Sequence, residues 1–186
     1  PPDGSAVTGQ TITGTTSNNS LAGGIGDDLI TGIGGNDTID GGVGSDTLEG
    51  GEGNDTLIGG YGDDVLLGGA GHDFLSDDQG ANLLEGGDGG DRLVASSLVG
   101  NQSLRGGTGD DTLEATGKTL DLAGDDGNDQ LTVNGNLNGS YVNAGMATLT
   151  GGVGDDRLNV YNYSAATLDG GDGNDYLYAG DRKSVG

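Results

Sequence analysis

Residues 23–94 read, nine letters at a time, GGIGDDLIT, GIGGNDTID, GGVGSDTLE, GGEGNDTLI, GGYGDDVLL, GGAGHDFLS, DDQGANLLE and GGDGGDRLV. The sixth letter is Asp28, Asp37, Asp46, Asp55, Asp64, Asp73, Asn82 and Asp91. The eighth is Ile30, Ile39, Leu48, Leu57, Leu66, Leu75, Leu84 and Leu93. A repeat of fixed period decides architecture first, because each unit must bury its apolar residue against neighbouring units. Nine residues are too few for a helix–turn unit, and each glycine would cost a helix roughly 1 kcal/mol. The triplet centred on the eighth letter fits a very short strand, with Leu or Ile inward and its neighbours outward. The preceding G-G-x-G-x-D reads as a turn, since glycine tolerates positive φ. Two nonapeptides then make one 18-residue coil, and successive coils stack as parallel strands about 4.8 Å apart. The fold expected is all-β: a right-handed parallel β-roll (a β-solenoid) of roughly nine coils, on the order of 45 Å long.

The unit extends beyond this stretch. Residues 14–22 (GTTSNNSLA) read as a degenerate first repeat, with Asn19 sixth and Leu21 eighth. After Val94 strong motifs recur as GGTGDDTLE (106–114), GDDGNDQLT (124–132), GGVGDDRLN (151–159) and GGDGNDYLY (170–178). Their sixth letters are Asp111, Asp129, Asp156 and Asp175. Their starts lie mostly 18 to 20 residues apart, two nonapeptides per step, so one flank keeps its aspartate loop where the other has lost it. The leucine series runs on through Leu104, Leu113, Leu122, Leu131, Leu149, Leu158, Leu168 and Leu177. Residues 133–148 read either as a full extra turn or as one long surface loop. The division expected is a single domain over 1–186. It comprises a cap and degenerate repeat (1–22), a regular array (23–94), an array with one loop motif per coil (95–178) and a tail (179–186). The tail leaves the pattern without a cap, so the chain reads as a segment of a longer protein.

Composition limits what this array can be. Glycine supplies 44 of 186 residues, and there is one Phe, one Met and no Trp. A core of large side chains cannot be built from this. The formal charge is −24, so compaction crowds carboxylates against one another, and without help such a chain has the composition of a disordered one. Something positive must join the fold, and residues 1–91 contain no Lys or Arg. A metal ion is the natural candidate. Nucleic acid is excluded as a partner by the lack of a basic stripe. Membrane insertion is not expected, since no apolar run approaches the length of a membrane span. The absence of cysteine rules out disulfides and thiolate metal sites. A monomer is expected.

In a roll of this kind, loops 18 residues apart lie one above the other with their aspartates facing a shared gap. Two carboxylates and several loop carbonyls offer six or more oxygens at adjustable distance, which suits Ca²⁺. Mg²⁺ prefers a tighter octahedron and keeps its water, and zinc lacks nitrogen and sulfur ligands here.

These residues closely resemble the hemolysin-type calcium-binding (RTX) repeats, G-G-x-G-x-D-x-U-x, over about residues 14–178. The resemblance implies the β-roll and the ligand set. Each ion takes carbonyls of positions 2 and 4 and the sixth-position aspartate of one loop, with carbonyls of positions 1 and 3 and the aspartate of the next loop on that flank. Carried over, Gly24, Gly26 and Asp28 meet Gly41, Val43 and Asp46, and Gly35 and Asp37 meet Gly50, Glu52 and Asp55. Gly42, Gly44 and Asp46 meet Gly59, Tyr61 and Asp64, while Gly51, Gly53 and Asp55 meet Gly68, Ala70 and Asp73. Gly69, Gly71 and Asp73 meet Gly86, Asp88 and Asp91, and Gly87, Gly89 and Asp91 meet Gly106, Thr108 and Asp111. Gly107, Gly109 and Asp111 meet Gly124, Asp126 and Asp129, and Gly152, Gly154 and Asp156 meet Gly170, Asp172 and Asp175. Two departures stand out. Loop 77–82 (DDQGAN) has Asn82 in place of aspartate and lacks the leading glycines, so the site between Asp64 and Asn82 is expected to be weak or empty. The 27-residue step from Asp129 to Asp156 breaks the register of a shared site. About eight or nine Ca²⁺ ions follow, and nine would bring +18 against −24. Calcium binding and folding are then one event. Family members are typically secreted bacterial proteins, which implies an extracellular location at the cell surface or in the medium.

Other chemistry finds little support. His72 occupies an exposed turn position, where a solvated histidine is expected. The pairs Asp27-Asp28, Asp63-Asp64, Asp110-Asp111 and Asp155-Asp156 suggest acid/base dyads. The loop register reads them better, the second binding metal and the first facing water. There is no G-x-S-x-G and no H-E-x-x-H, and no enzyme is expected. Leu158, Val160 and Leu177 are expected inward, so Tyr161, Tyr163, Tyr176 and Tyr178 should form an outward aromatic patch. That patch fits packing against another domain of the parent chain, or a platform for stacking sugars of an extracellular polysaccharide. The reading is a calcium-binding repeat module of a larger secreted protein of adhesin or toxin type. The alternatives are an accessory module of a secreted polysaccharide-modifying enzyme or protease, or a carbohydrate-binding module.

Overall fold

The computed structural model describes residues 8–97, 100–137, 140–141 and 145–180. Its elements begin with β1 (Thr11–Thr15), β2 (Ser20–Ile25), β3 (Leu29–Gly34), β4 (Thr38–Val43), β5 (Thr47–Glu52), β6 (Thr56–Tyr61) and β7 (Val65–Ala70). They continue with β8 (Phe74–Asp77), β9 (Leu83–Asp88), β10 (Arg92–Ser96), β11 (Asn101–Thr108), β12 (Thr112–Thr116), β13 (Thr119–Asp126) and β14 (Gln130–Asn134). The last are β15 (Asn136–Leu137), β16 (Ser140–Tyr141), β17 (Met146–Val153), β18 (Arg157–Tyr161), β19 (Ala165–Asp172) and β20 (Tyr176–Gly180). There is no helix among the described residues, and so none long and apolar enough to cross a membrane.

Consecutive strands alternate between two nine-stranded parallel sheets. One runs β1-β3-β5-β7-β9-β11-β13-β17-β19 and the other β2-β4-β6-β8-β10-β12-β14-β18-β20. Each pair of consecutive strands is therefore one coil, and nine coils form the solenoid expected from the repeat. The eighth-position residues pair directly through each sheet, Ile30 with Leu48 and Leu48 with Leu66, Ile39 with Leu57 and Leu57 with Leu75. From Ile30 to Leu158 they are fully buried, and burial of each such side chain contributes about 1.5–3 kcal/mol. Ile12, Leu21 and Leu168 in the outer coils are only half-buried, and Leu177, expected inward, is exposed. Among the described residues the last coil has a neighbour on one side only, so its inward residue lacks a cover.

The strands are longer than the expected triplet. A typical strand runs from position 7 to position 3 of the next repeat, as in Thr47–Glu52, so the glycine pair lies inside the ladder. Gly42 pairs with Gly24 and Gly60. It holds φ 102°, and a Cβ there would collide with the Gly24 carbonyl. The turn proper is left with positions 4 to 6.

Residues 133–148 are not an extra coil. Leu122 pairs directly with Leu149, and Leu131 with Leu158, across the 27-residue step. The additional chain leaves the coil after β14, and within it β15 and β16 form a small antiparallel pair.

Candidate metal sites

The turns fall into two columns. The first flank joins odd strands to even ones and carries Asn19, Asp37, Asp55, Asp73, Asp91, Asp111, Asp129, Asp156 and Asp175. The second joins even strands to odd ones and carries Asp28, Asp46, Asp64 and Asn82. Each turn follows a strand whose Leu or Ile points inward, so the carboxylate is delivered to the edge of the core. Asp28 to Asp156 are all buried.

From Asp28 to Asp156 the sixth-position carboxylates divide their oxygens in the same way. Oδ1 accepts the backbone N–H of the sixth residue one coil earlier, Asp37 N–H to Asp55 Oδ1 at 2.6 Å and Asp111 N–H to Asp129 Oδ1 at 2.8 Å. Oδ2 has no hydrogen-bond partner in Asp28, Asp37, Asp46, Asp55, Asp64, Asp73, Asp91, Asp111, Asp129 and Asp156. A buried carboxylate oxygen without a partner is costly unless a cation or a proton meets it. The space it faces is kept open by the first-position glycine. A Cβ at Gly124 would collide with Asp129 Oδ2 and lie 2.7 Å from the Gly151 carbonyl oxygen, and one at Gly50 would lie 2.6 Å from the Gly68 carbonyl oxygen beside Asp55 Oδ2. Carboxylate and next-coil carbonyl thus face one small cradle. The donors are oxygens throughout, which fits Ca²⁺. No three carboxylate or imidazole side chains converge among the described residues; the cradles present carboxylate oxygens beside loop carbonyls.

The position-3 carbonyls carried over as ligands are partly committed. Val43, Tyr61, Ala70, Asp88, Thr108, Asp126 and Asp172 each accept an N–H from another loop glycine on the same flank: Gly26 to Val43 at 2.7 Å, Gly109 to Asp126 at 2.7 Å. An sp² oxygen keeps a second lone pair for a cation. The 27-residue step leaves the column intact: Asp129 N–H reaches Asp156 Oδ1 at 2.8 Å, as at other steps. The inserted chain lies on the opposite flank, so the break in sequence register does not reach this gap.

Burial is the first cause that moves these groups. It pushes Asp111 up to about 7 and Asp73 and Asp129 up to about 6; the donated N–H opposes this and facing carboxylates add to it. Asp46, Asp55, Asp91 and Asp156 are raised for the same reason.

The second flank changes character along its length. Its first position reads Gly41, Gly59, Asp77, Ala95, Ala115, Val133 and Val160 in successive coils. Its sixth reads Asp46, Asp64, Asn82, Gln102, Leu120 and Ala147. Apolar side chains occupy the space that glycine leaves open on the other flank. Tyr163, expected outward, is here too. It is only 9% exposed, and its hydroxyl donates to the Gly117 carbonyl at 2.9 Å. The turn at Asn162, with φ 62°, breaks the alternation that would have put Tyr163 outside. Tyr161, Tyr176 and Tyr178 are exposed as expected, with Tyr161 and Tyr178 rings 5.4 Å apart.

Two features escaped the sequence reading. The fifth-position residue does not simply face water. Its side chain accepts the N–H of the fifth residue one coil later, as Asp27 from Ser45, Asn36 from Asn54 and Asp110 from Asn128. Its signal was the run of Asp, Asn, Ser and His at that position. His72 belongs to this series, exposed and accepting from Gly90 N–H at 2.8 Å. The second is Asp77, buried and unpartnered at Oδ2, with its carboxyl raised by burial and by the facing Asp64. A charged residue where glycine was due was its only signal.

No curated protein and no solved structure matches the chain. The family described as RTX calcium-binding nonapeptide repeat (4 copies) matches residues 13–48, 40–75, 67–97, 99–117 and 165–181. These segments cover more than half of the 186 residues and take in the stacked loops described above except 124–129 and 151–156. The chain therefore belongs to the RTX family of calcium-binding nonapeptide repeats and is a calcium-binding β-roll module.

Proposed function

We propose that this module is a calcium-dependent folding and extension element of a larger secreted bacterial protein of adhesin or toxin type. The observation that carries this reading is the line of buried, unpartnered Oδ2 atoms. Seven gaps on the first flank, from Asp37–Asp55 to Asp156–Asp175, are lined by two carboxylates each. Two more stand on the second flank, Asp28–Asp46 and Asp46–Asp64. Nine ions held there by these aspartates and the loop carbonyls would supply the positive charge that the chain lacks. Within the coil, Leu and Ile bury one face and the Oδ1 bonds tie successive loops, yet the net charge of −24 opposes stacking until the gaps are neutralised. Extracellular calcium modules work at roughly 10⁻⁴–10⁻³ M, so a chain of this kind stays unfolded in a calcium-poor cytosol and closes outside it. This role needs no catalysis by the module. Far-UV circular dichroism with chelator, followed by calcium addition, is the test. A cooperative coil-to-strand transition is expected, and strand content that is complete in chelator would defeat the proposal.

A further inference from the structure

We infer that the gap between loops 59–64 and 77–82, which lacks its sixth-position carboxylate, is a divalent-cation site completed by the side chain of Asp77. The inference rests on the calcium reading above and deepens it. In the two preceding coils of the second flank the first-position glycines, Gly23 and Gly41, each face a carbonyl oxygen of the next coil, Gly41 O at 2.6 Å and Gly59 O at 2.7 Å from an added Cβ. At Gly59 that place is taken by Asp77 Oδ2, and Asp64 Oδ2 lies 2.7 Å from the same point. Two carboxylate oxygens therefore address one cradle. Asp77 is 2% exposed, and neither Asp77 Oδ2 nor Asp64 Oδ2 has a hydrogen-bond partner. Asp77 is held in this pose by its other oxygen, which accepts the Gln79 N–H at 2.9 Å.

Asn82 cannot serve in its place. Its Oδ1 accepts the Asp64 N–H at 2.9 Å, which preserves the ladder bond, and its Nδ2 donates to the Gln79 carbonyl at 2.9 Å. The amide does the structural half of the aspartate's work and leaves the charge half undone. Asp77 returns that charge from the first position of the same loop, so the gap keeps two carboxylates. One coil further the flank has Ala95 and Gln102 in the corresponding places, and the Gln102 amide is tied to the Gly80 carbonyl at 2.8 Å. Asp77 thus closes the second-flank cation column at the coil where the flank turns apolar.

Native mass spectrometry of the full chain in calcium counts whole ions and tests this. Asp77→Gly, which restores the glycine found at Gly41 and Gly59, is expected to hold one ion fewer than the parent. The double variant Asp77→Gly, Asn82→Asp moves the carboxylate back to the sixth position and is expected to recover the parent count. Asp77→Asn, which keeps the side-chain size, should lose the same ion and serves if the glycine variant does not fold by circular dichroism. An unchanged count in both single variants would overturn the inference and mean that a shared proton satisfies the Asp64–Asp77 pair. A parent chain that takes up no calcium would instead overturn the calcium reading on which it stands.

Discussion

Ile33 is the one β-branched residue among the described residues that sits in the left-handed region, at φ 83°. It occupies the second position of its repeat, where Gly24, Gly42, Gly51 and Gly60 take similar angles without a side chain to resist them. Its side chain is exposed and contributes little burial in return. Such a conformation costs a non-glycine residue of order 1–3 kcal/mol, against which glycine's extra entropy loss is about 0.5–1 kcal/mol. Ile33→Gly should therefore stabilise the calcium-loaded module by about 1 kcal/mol, read as a rise of roughly 2–4 °C in Tm. A Tm that falls would show that the Ile33 side chain does more than this exposure implies. The departure was visible in GIGGND, but its cost was not, because the positive φ belongs to the ladder geometry rather than to the letter pattern.

A single repeat element is a strand, a tight turn and an empty place beside a carboxylate. The emptiness is structural: the first-position glycine of every first-flank loop, Gly14, Gly32, Gly50, Gly68, Gly86, Gly106, Gly124, Gly151 and Gly170, has a side-chain oxygen of its own loop within contact of where a Cβ would stand. Gly124→Ala removes no ligand yet places a methyl group between Asp129 Oδ2 and the Gly151 carbonyl. We expect it to lose the ion shared by Asp129 and Asp156 and to cost about 1–3 kcal/mol in overpacking. Asp126→Ala, at an exposed position whose carbonyl alone is used, should keep both the ion and the stability. Calcium stoichiometry and chemical denaturation of the two variants decide the matter, and equal behaviour would refute the cradle. Ala95, Ala115, Val133 and Val160 stand at the same position on the second flank, where no sixth-position carboxylate remains to face them. The opposite flank has thus made the substitution that the first flank cannot accept.

Taken as one molecule, the roll is a stack of buried carboxylates, at whose oxygens a proton and a cation would compete. With calcium withheld, Asp111 is raised to about 7 and Asp73 and Asp129 to about 6, all from 3.8. A group raised in the folded state stabilises that state fully below its unfolded value, and the contribution is lost as pH rises through the folded value. In chelator the roll should therefore be supported only towards pH 4, where protons take the place of cations, and lose that support by about pH 7. Calcium reverses the slope, because its ligands must be deprotonated. Thermal melts in chelator and in calcium across this range should show opposite trends. Parallel trends would mean that these carboxylates do not control folding.

What the sequence determined by itself follows from the period. Leu48 and Leu57 recur at nine residues, and side chains at that spacing can be buried together only if the coils stack, so the number of coils, the core and the two columns of aspartates were readable before any coordinate. The Asp129–Asp156 gap and residues 133–148 were not, because sequence spacing counts inserted chain without saying on which flank it leaves the coil. Only the tertiary structure placed the insertion on the second flank and kept Asp129 in line with Asp156. The same holds for Tyr163, turned inward by one residue of left-handed backbone, and for Asp77, whose carboxylate gains its meaning from Asp64, thirteen residues away in sequence and adjacent in space. A repeat encodes what each unit shares with its neighbours, whereas its exceptions depend on what the next coil presents, and that is a property of the stack.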